Sequence, residues 1–197
     1  MPAKFLLLFV MSFYAFVAPQ QNDLLDSVQK KYKKLKNFTA SFSQEGAEGH
    51  FDGKFYYASG NKLRIELKDR LIVTDGETIW TYYSTGKRVI VNSMENNPTS
   101  LSLDKYLFEY PEKCNITTED IDNGLKKLIL VSKSGDLDFK KAELTITPAK
   151  LINKIKLVDM MGNQFSFQLN DIKVNQSLSG SLFSFNIPEG IQIIDLR

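Results

Sequence analysis

Glu48, His50 and Asp52, spaced two residues apart, are the nearest this sequence comes to a reactive cluster. On a strand they would share one face, and a histidine between two carboxylates is a set that can hold a divalent metal. The glycines at 46, 49 and 53 read instead as a turn or bulge, and His50 is the only histidine. The expectation is an exposed polar cluster and no metal site. Cys114, the only cysteine, excludes an intrachain disulfide and a zinc ribbon. No candidate base lies near it in sequence, so it is expected to be buried and inert or an incidental surface thiol, not a nucleophile. Nothing places Ser, His and Asp as a triad, and neither a glycine-rich phosphate loop nor a paired-cysteine motif occurs. No catalytic residue and no cofactor is expected. By subtraction, function should lie in a surface or a cavity.

The stretch that organises such a surface is Leu71 to Val91. Leu71-Ile72-Val73 is apolar, and Thr74-Asp75-Gly76-Glu77 is a turn in which Asp75 can cap its own backbone and Gly76 can take positive φ. Ile79 to Tyr83 and Lys87 to Val91 follow around a second turn at Ser84-Thr85-Gly86. By the two-residue period, Ile79, Thr81 and Tyr83 share one face while Trp80, Tyr82 and Ser84 share the other. With aromatics on both faces, neither should meet plain water: one packs a core and the other meets a cover or a ligand. Trp80 is then either core or part of a ligand wall.

The rest of the chain supplies elements of the same kind. Phe38, Ala40 and Phe42 alternate with polar residues, as do Phe51, Gly53, Phe55 and Tyr57, and then Leu63, Ile65 and Leu67. After residue 125 the alternation resumes through Leu128–Val131, Ala142–Ile146, Leu151–Val158, Phe165–Leu169 and the terminal isoleucines, about ten strands in all. Only residues 22–36 have clear helical spacing, with Asn22 or Asp23 as cap and a lysine-rich last half expected to face water. Residues 97–111 are expected to form a helix, capped by Asn97, opened by Pro98 and closed by Pro111. Its Leu101, Leu103, Leu107, Phe108 and Tyr110 are too apolar for one narrow stripe, so it is covered on more than one side or covers something apolar. Thr118 to Gly124 is expected to be a short turn or helix. A sheet this long tends to curl into a full or partial barrel.

Length and charge set the outer bounds. At 197 residues, one domain with a substantial core is the natural size. Lys and Arg number 25 against 23 Asp and Glu, which gives no footprint for nucleic acid. Fourteen Phe and eight Tyr beside six Pro suit a sheet-rich protein. Lys4 followed by the apolar run Phe5 to Val17 is too short to span a bilayer and suits an export signal. The domain plan is a signal peptide over residues 1–18, with an uncertain cut, and a single domain over 19–197. The sequons at Asn37, Asn115 and Asn175 matter only in a glycosylating host.

Several stretches in this order and spacing resemble the periplasmic outer-membrane lipoprotein carrier family. They are Asn37-Phe38-Thr39-Ala40-Ser41-Phe42-Ser43-Gln44, Gly53-Lys54-Phe55-Tyr56-Tyr57, Leu71 to Tyr82 with Asp75-Gly76-Glu77-Thr78-Ile79-Trp80, and Phe183-Ser184-Phe185 with Pro188-Glu189-Gly190. The resemblance runs from about residue 22 to the carboxyl terminus. It implies a mainly β fold with some helix: a curved antiparallel sheet forming a half-open barrel, its apolar cavity covered by helices. It implies a non-enzymatic, monomeric carrier in the periplasm that takes the acyl chains of lipoproteins from an inner-membrane releasing transporter and hands them to an outer-membrane acceptor. The wall and lid residues it suggests are Phe42, Phe55, Tyr57, Leu63, Ile65, Trp80 and Tyr82, with Leu103, Leu107 and Phe108 from the lid. Family members carry a lid-holding arginine after the strand matching Phe55 to Tyr57; here that place falls at Ser59, followed by Gly60, and neither Lys62 nor Arg64 is equivalent. Either the lid is held differently or the cargo differs. The alternative function is a lipid- or lipopeptide-binding envelope sensor or assembly module, tethered by an uncleaved amino-terminal helix.

Overall fold

The computed structural model of the protein describes residues 22–46, 49–95 and 102–197. The expected export signal and the Asn97-Pro98 helix start fall outside those residues, as does Glu48. Helix α1 (Asp23–Lys34) begins where the side chain of Asn22 accepts from the Leu25 amide at 3.1 Å, the expected cap. Asp23 and Asp26 sit in its first turn, and Lys31, Lys33 and Lys34 in its last, each at the end its charge favours. Leu24, Leu25, Val28 and Tyr32 form the buried stripe; Lys30, Lys33 and Lys34 are exposed, as a solvated face requires. Among the described residues no helix is long and apolar enough to cross a membrane.

Six strands follow: β1 (Asn37–Gly46), β2 (Gly49–Ala58), β3 (Lys62–Leu67), β4 (Arg70–Thr74), β5 (Thr78–Tyr83) and β6 (Arg88–Ser93). A single π-helical turn (Lys105–Glu109) and a 3₁₀ turn (Tyr110–Lys113) lead to β7 (Cys114–Asp120), β8 (Lys126–Ser132), β9 (Phe139–Ile146), β10 (Ile152–Asp159) and β11 (Gln164–Val174). The last strand is β12 (Gln192–Asp195). They make one twelve-stranded sheet in the order β12-β6-β5-β4-β3-β2-β1-β11-β10-β9-β8-β7, curved and unclosed, with β12 and β7 at its edges. All neighbours are antiparallel except β12 and β6, which run parallel. The half-open barrel is thus the observed fold. Its concave face is packed with side chains under α1 and the π turn.

Two glycines are required by close approach. A Cβ at Gly53 would stand 2.0 Å from the Glu66 carbonyl oxygen of the neighbouring strand. Gly76, at φ +103, carries the β4–β5 turn so close to Gly60 that a Cβ would meet its carbonyl oxygen at 2.4 Å. In the same turn the Asp75 carboxylate accepts from the amides of Glu77 and Thr78, both at 2.9 Å, as its sequence suggests.

The middle of the chain departs from expectation. Of the turn or helix expected over Thr118 to Gly124, the first three residues are strand, since β7 pairs along its whole length with β8, while Asp122–Gly124 is a 3₁₀ turn. Polar Thr117 to Asp120 mislead because β7 is an edge strand, with little to bury. Pro111 does not end the helical segment; it sits in the first turn of the 3₁₀ continuation, where its missing N–H is not needed. Residues 182–187 alternate like a strand but form the 3₁₀ turn Gly180–Phe183 and an extended crossing. From β11 to β12 the chain must pass over β3 to β5, and it does so on the outer face: the Leu182 carbonyl accepts from Arg64 at 3.4 Å, and Phe185 packs on Tyr82 at 5.7 Å.

Candidate functional site

Strand registers decide which side chains share a wall. Across β1, β2 and β3, Ala40 stands opposite Phe55 and Phe55 opposite Ile65, while Phe38 stands opposite Tyr57 and Tyr57 opposite Leu63. These pairs, with Phe42, point to the concave side and are 7% exposed or less. Their rings form a ladder: Phe38 stacks on Tyr57 at 5.1 Å and on Phe55 at 5.7 Å, and Phe42 bridges Phe55 and Phe167, each at 6.3 Å. Helix α1 lies over one part, with Tyr32 edge-on to Tyr57 at 6.0 Å and its hydroxyl accepting the Ile152 amide at 3.1 Å.

The π turn closes the rest. Leu103 and Leu107 are buried to 1% and 0% exposure, and Phe108 packs against the same cluster. Gln29 of α1 donates to the Leu107 carbonyl at 2.6 Å, and Lys33 lies 5.7 Å over the Phe108 ring. Beyond them Tyr106 and Tyr110 pack on Phe139 at 5.8 and 5.3 Å. A segment this short brings little helical stability of its own, so its position rests on these contacts and on polar anchors.

The anchor is Asp104. Tyr57 donates its phenol to one carboxylate oxygen at 2.6 Å, and the Asn61 amide donates to the other at 3.0 Å. Ser102, buried, donates to the Asn61 side chain at 3.1 Å. Asn61 holds a left-handed φ of 57 in the β2–β3 turn, which aims its N–H at the lid. Burial first, and then the Asp104 charge, lift the Tyr57 phenol far above its ordinary range, so it remains a donor. At the position where the family arginine is missing, the Ser59 amide is taken by the Lys36 carbonyl at 3.1 Å. Lys62 is exposed, and Arg64 lies on the outer face, donating to Glu66 at 2.7 Å. The segment carrying Leu103, Leu107 and Phe108 is held by its own acid, which the sheet grips with a phenol and a backbone amide. Sequence reasoning missed it; the one signal was an aspartate inside an otherwise apolar run.

Of the ten residues named from sequence, Phe42, Phe55, Tyr57, Leu63, Ile65, Leu103, Leu107 and Phe108 come together on the concave face. Trp80 and Tyr82 do not. Trp80 stands opposite Val73, which stands opposite Arg64; Tyr82 stands opposite Leu71, which stands opposite Glu66. That is the outer face, so neither ring shares a wall with Phe55. Val73 and Val89 beside them are fully buried, and Phe183 of the crossing segment on that face is 6% exposed. The reason is that both faces of this hairpin are apolar, so alternation separates them without labelling them.

The polar clusters are elsewhere. His50 meets Asp52 at 2.8 Å and Glu45 at 4.0 Å, all at the surface, and among the described residues no group of three potential ligands is arranged for a metal ion. Cys114 is buried, which raises its thiol pKa against the lowering effect of Lys133. A groove of about 540 Å³, lined by Glu45, Lys141, Glu143, Lys154, Lys156 and Ser166 among others, opens on the other side of the sheet from the ring ladder.

Comparisons with known proteins agree with this geometry. The family described as outer membrane lipoprotein carrier protein LolA matches residues 33–186. An outer-membrane lipoprotein carrier protein of Azotobacter vinelandii is 25% identical over 205 residues, covering 97% of each chain. One from Legionella pneumophila is 28% identical over 181 residues, covering 85% of this chain and 87% of its own. Among solved structures, an uncharacterized conserved protein from Thermus thermophilus superposes with a TM-score of 0.60 at 15% identity, covering 87% of this chain and 96% of that one. That likeness concerns the fold.

Proposed function

Since the chain belongs to the outer membrane lipoprotein carrier protein family, LolA, we propose that it is a periplasmic carrier that binds the acyl chains of lipoproteins on its concave face and shuttles them between membranes without catalysis. The observation that supports this most is the lid: Leu103, Leu107 and Phe108 fill the space that an acyl chain would take, and one carboxylate anchors them. Burying three such side chains is worth about 5–9 kcal/mol. A sixteen-carbon acyl chain, at about 0.8 kcal/mol per CH₂, gains about 12 kcal/mol on leaving water. One chain therefore suffices to displace the lid, and the lid can return when the chain leaves. Binding would open the Asp104 anchor and turn the ring ladder of Phe42, Phe55 and Tyr57, with Leu63 and Ile65, into the acyl-contacting wall. The partners this reading requires are a releasing transporter at the inner membrane and an acceptor at the outer membrane.

The test is capture. Purified protein is incubated with inner-membrane vesicles holding a triacylated lipoprotein and its releasing transporter, and the soluble fraction is assayed for a complex. A soluble one-to-one complex is expected, with the acyl chains protected from lipase. Release of no lipoprotein, with the protein folded and found at the membrane in cells, would favour the tethered sensor instead.

A further inference from the structure

At one end of the concave face the apolar wall stops at a pair of arginines. Arg70, Tyr83 and Arg88 stand opposite one another across β4, β5 and β6. One row further in are Ile72, Thr81 and Ile90, and Ile72 stands opposite core residue Ile65. The Arg70 guanidinium lies 5.4 Å from the Phe51 ring and 5.4 Å from the Tyr83 ring; that of Arg88 lies 4.8 Å from Tyr83. The rings flank the two planar groups, that of Arg70 half-buried and that of Arg88 at an exposed position.

The arrangement lacks an acceptor. The Arg70 Nε is buried without a hydrogen-bond partner. Among the described residues neither arginine has a carboxylate partner, although ion pairs form elsewhere on the sheet, as between Arg64 and Glu66. A buried guanidinium N–H left unpaired is costly, and two cations flanking one ring repel each other. A stack that served only to cover the sheet's end would be better made from apolar or paired side chains. What satisfies both forks is an oxyanion, which arginine grips in bidentate geometry.

Position says what carries the anion. Two residues along a strand span about 7 Å, so a group held by the arginines sits at the head of the apolar rows where acyl chains would lie. We propose that Arg70 and Arg88, framed by Phe51 and Tyr83, bind the acidic head of an acylated ligand whose chains occupy the concave face. This rests on the carrier reading and adds a requirement to it: phosphate or carboxylate chemistry at the acyl head. A phospholipid head group and an acidic side chain beside an acylated cysteine both provide it.

The test displaces a neutral dye, N-phenyl-1-naphthylamine, from the purified protein. Two matched pairs serve as competitors: dioctanoyl phosphatidylglycerol with dioctanoylglycerol, and triacylated lipopeptides with Asp or Asn after the acylated cysteine. In each informative pair the anionic member should act at about tenfold lower concentration, a ratio within reach of one charge-assisted hydrogen bond. Arg88→Gln, at an exposed position, should narrow that ratio, and Arg70→Gln with Arg88→Gln should remove it while leaving the neutral competitors unchanged. A preference in the first pair alone assigns the site to a lipid head group; one in the second assigns it to acidic cargo. Equal displacement by both members of both pairs, or a preference that survives the double change in folded protein, overturns the site alone. Displacement by none of the four overturns the carrier reading and the site with it.

Discussion

Strands β3 to β5 are covered on both faces, and the two covers are built differently. On the outer face, Arg64 and Tyr82 meet residues 180–187, which continue into β12, fixed by four backbone positions paired with β6. On the concave face, Leu63 and Ile65 share one buried cluster with a short π turn that is held by the Asp104 carboxylate and by Gln29 of α1. Both covers exclude water, and buried area alone does not distinguish them. The difference lies in what each must break to leave. The outer cover must unzip a strand; the π turn must lose its side-chain packing and a few hydrogen bonds, and under the proposed function a ligand would replace that packing.

This contrast should be visible in matched substitutions. Phe183→Ala, on the outer cover, should cost about 3–5 kcal/mol in the urea unfolding transition. Lipoprotein capture per folded molecule should stay at the parental level. Leu107→Ala, in the lid, should cost about 2–5 kcal/mol and should also lower capture in protein that remains folded. If the two changes affect capture alike, the covers are not functionally different. Leu103→Ala and Phe108→Ala serve as companions, and all three lid changes leaving capture untouched would remove the lid from the binding site.

The anchor sharpens the comparison at lower energy. Asp104→Asn keeps the shape but removes the charge and leaves one accepting oxygen where Tyr57 and Asn61 each had their own, which should cost about 1–2 kcal/mol. Uptake of a fluorescent fatty acid should become faster in stopped-flow, since the closed lid is less favoured, while Phe183→Ala should leave that rate alone. An unchanged rate would mean that the lid opens without breaking this contact.

Neither the anchor nor the sidedness of the hairpin was legible in the sequence, although most of the fold was. Alternation at Leu63, Ile65 and Leu67, the Asn22 cap and the Asp75-Gly76 turn are local features, and local rules recover them. Asp104 and Asn61 are 43 residues apart, and their bond depends on one left-handed residue. Trp80 and Tyr82 sit on a hairpin apolar on both sides, where the cover that labels each face comes from distant parts of the chain. The polar edge strand β7 was hidden for the opposite reason: with little to bury, it lacks the pattern by which strands are read.

The smallest expected effect is the share of the pH dependence that a single tyrosine carries. Burial raises the phenols of Tyr32, Tyr57 and Tyr106, and it pushes Tyr110 up to about 12, against an ordinary value of 10.0. The unfolded chain gives up these protons first as pH rises. The stability tied to them is full below pH 10 and declines above it. Urea midpoints at about pH 9 and about pH 11 should therefore differ, and less so in Tyr57→Phe, which removes one of the raised groups. An equal difference in the two proteins would mean that Tyr57 is not held neutral by its site.

The most direct test compares the two covers in one experiment. Amide hydrogen exchange is followed across the whole chain while the protein is saturated with a triacylated lipopeptide. Exchange should accelerate in residues 105–109 and in the Asn61 amide, as the lid leaves and Asp104 lets go, while residues 180–187 and β12 exchange as before. Saturable binding with unchanged exchange at 105–109, or with acceleration at 180–187 instead, would contradict the assignment of the π turn as the cover that opens.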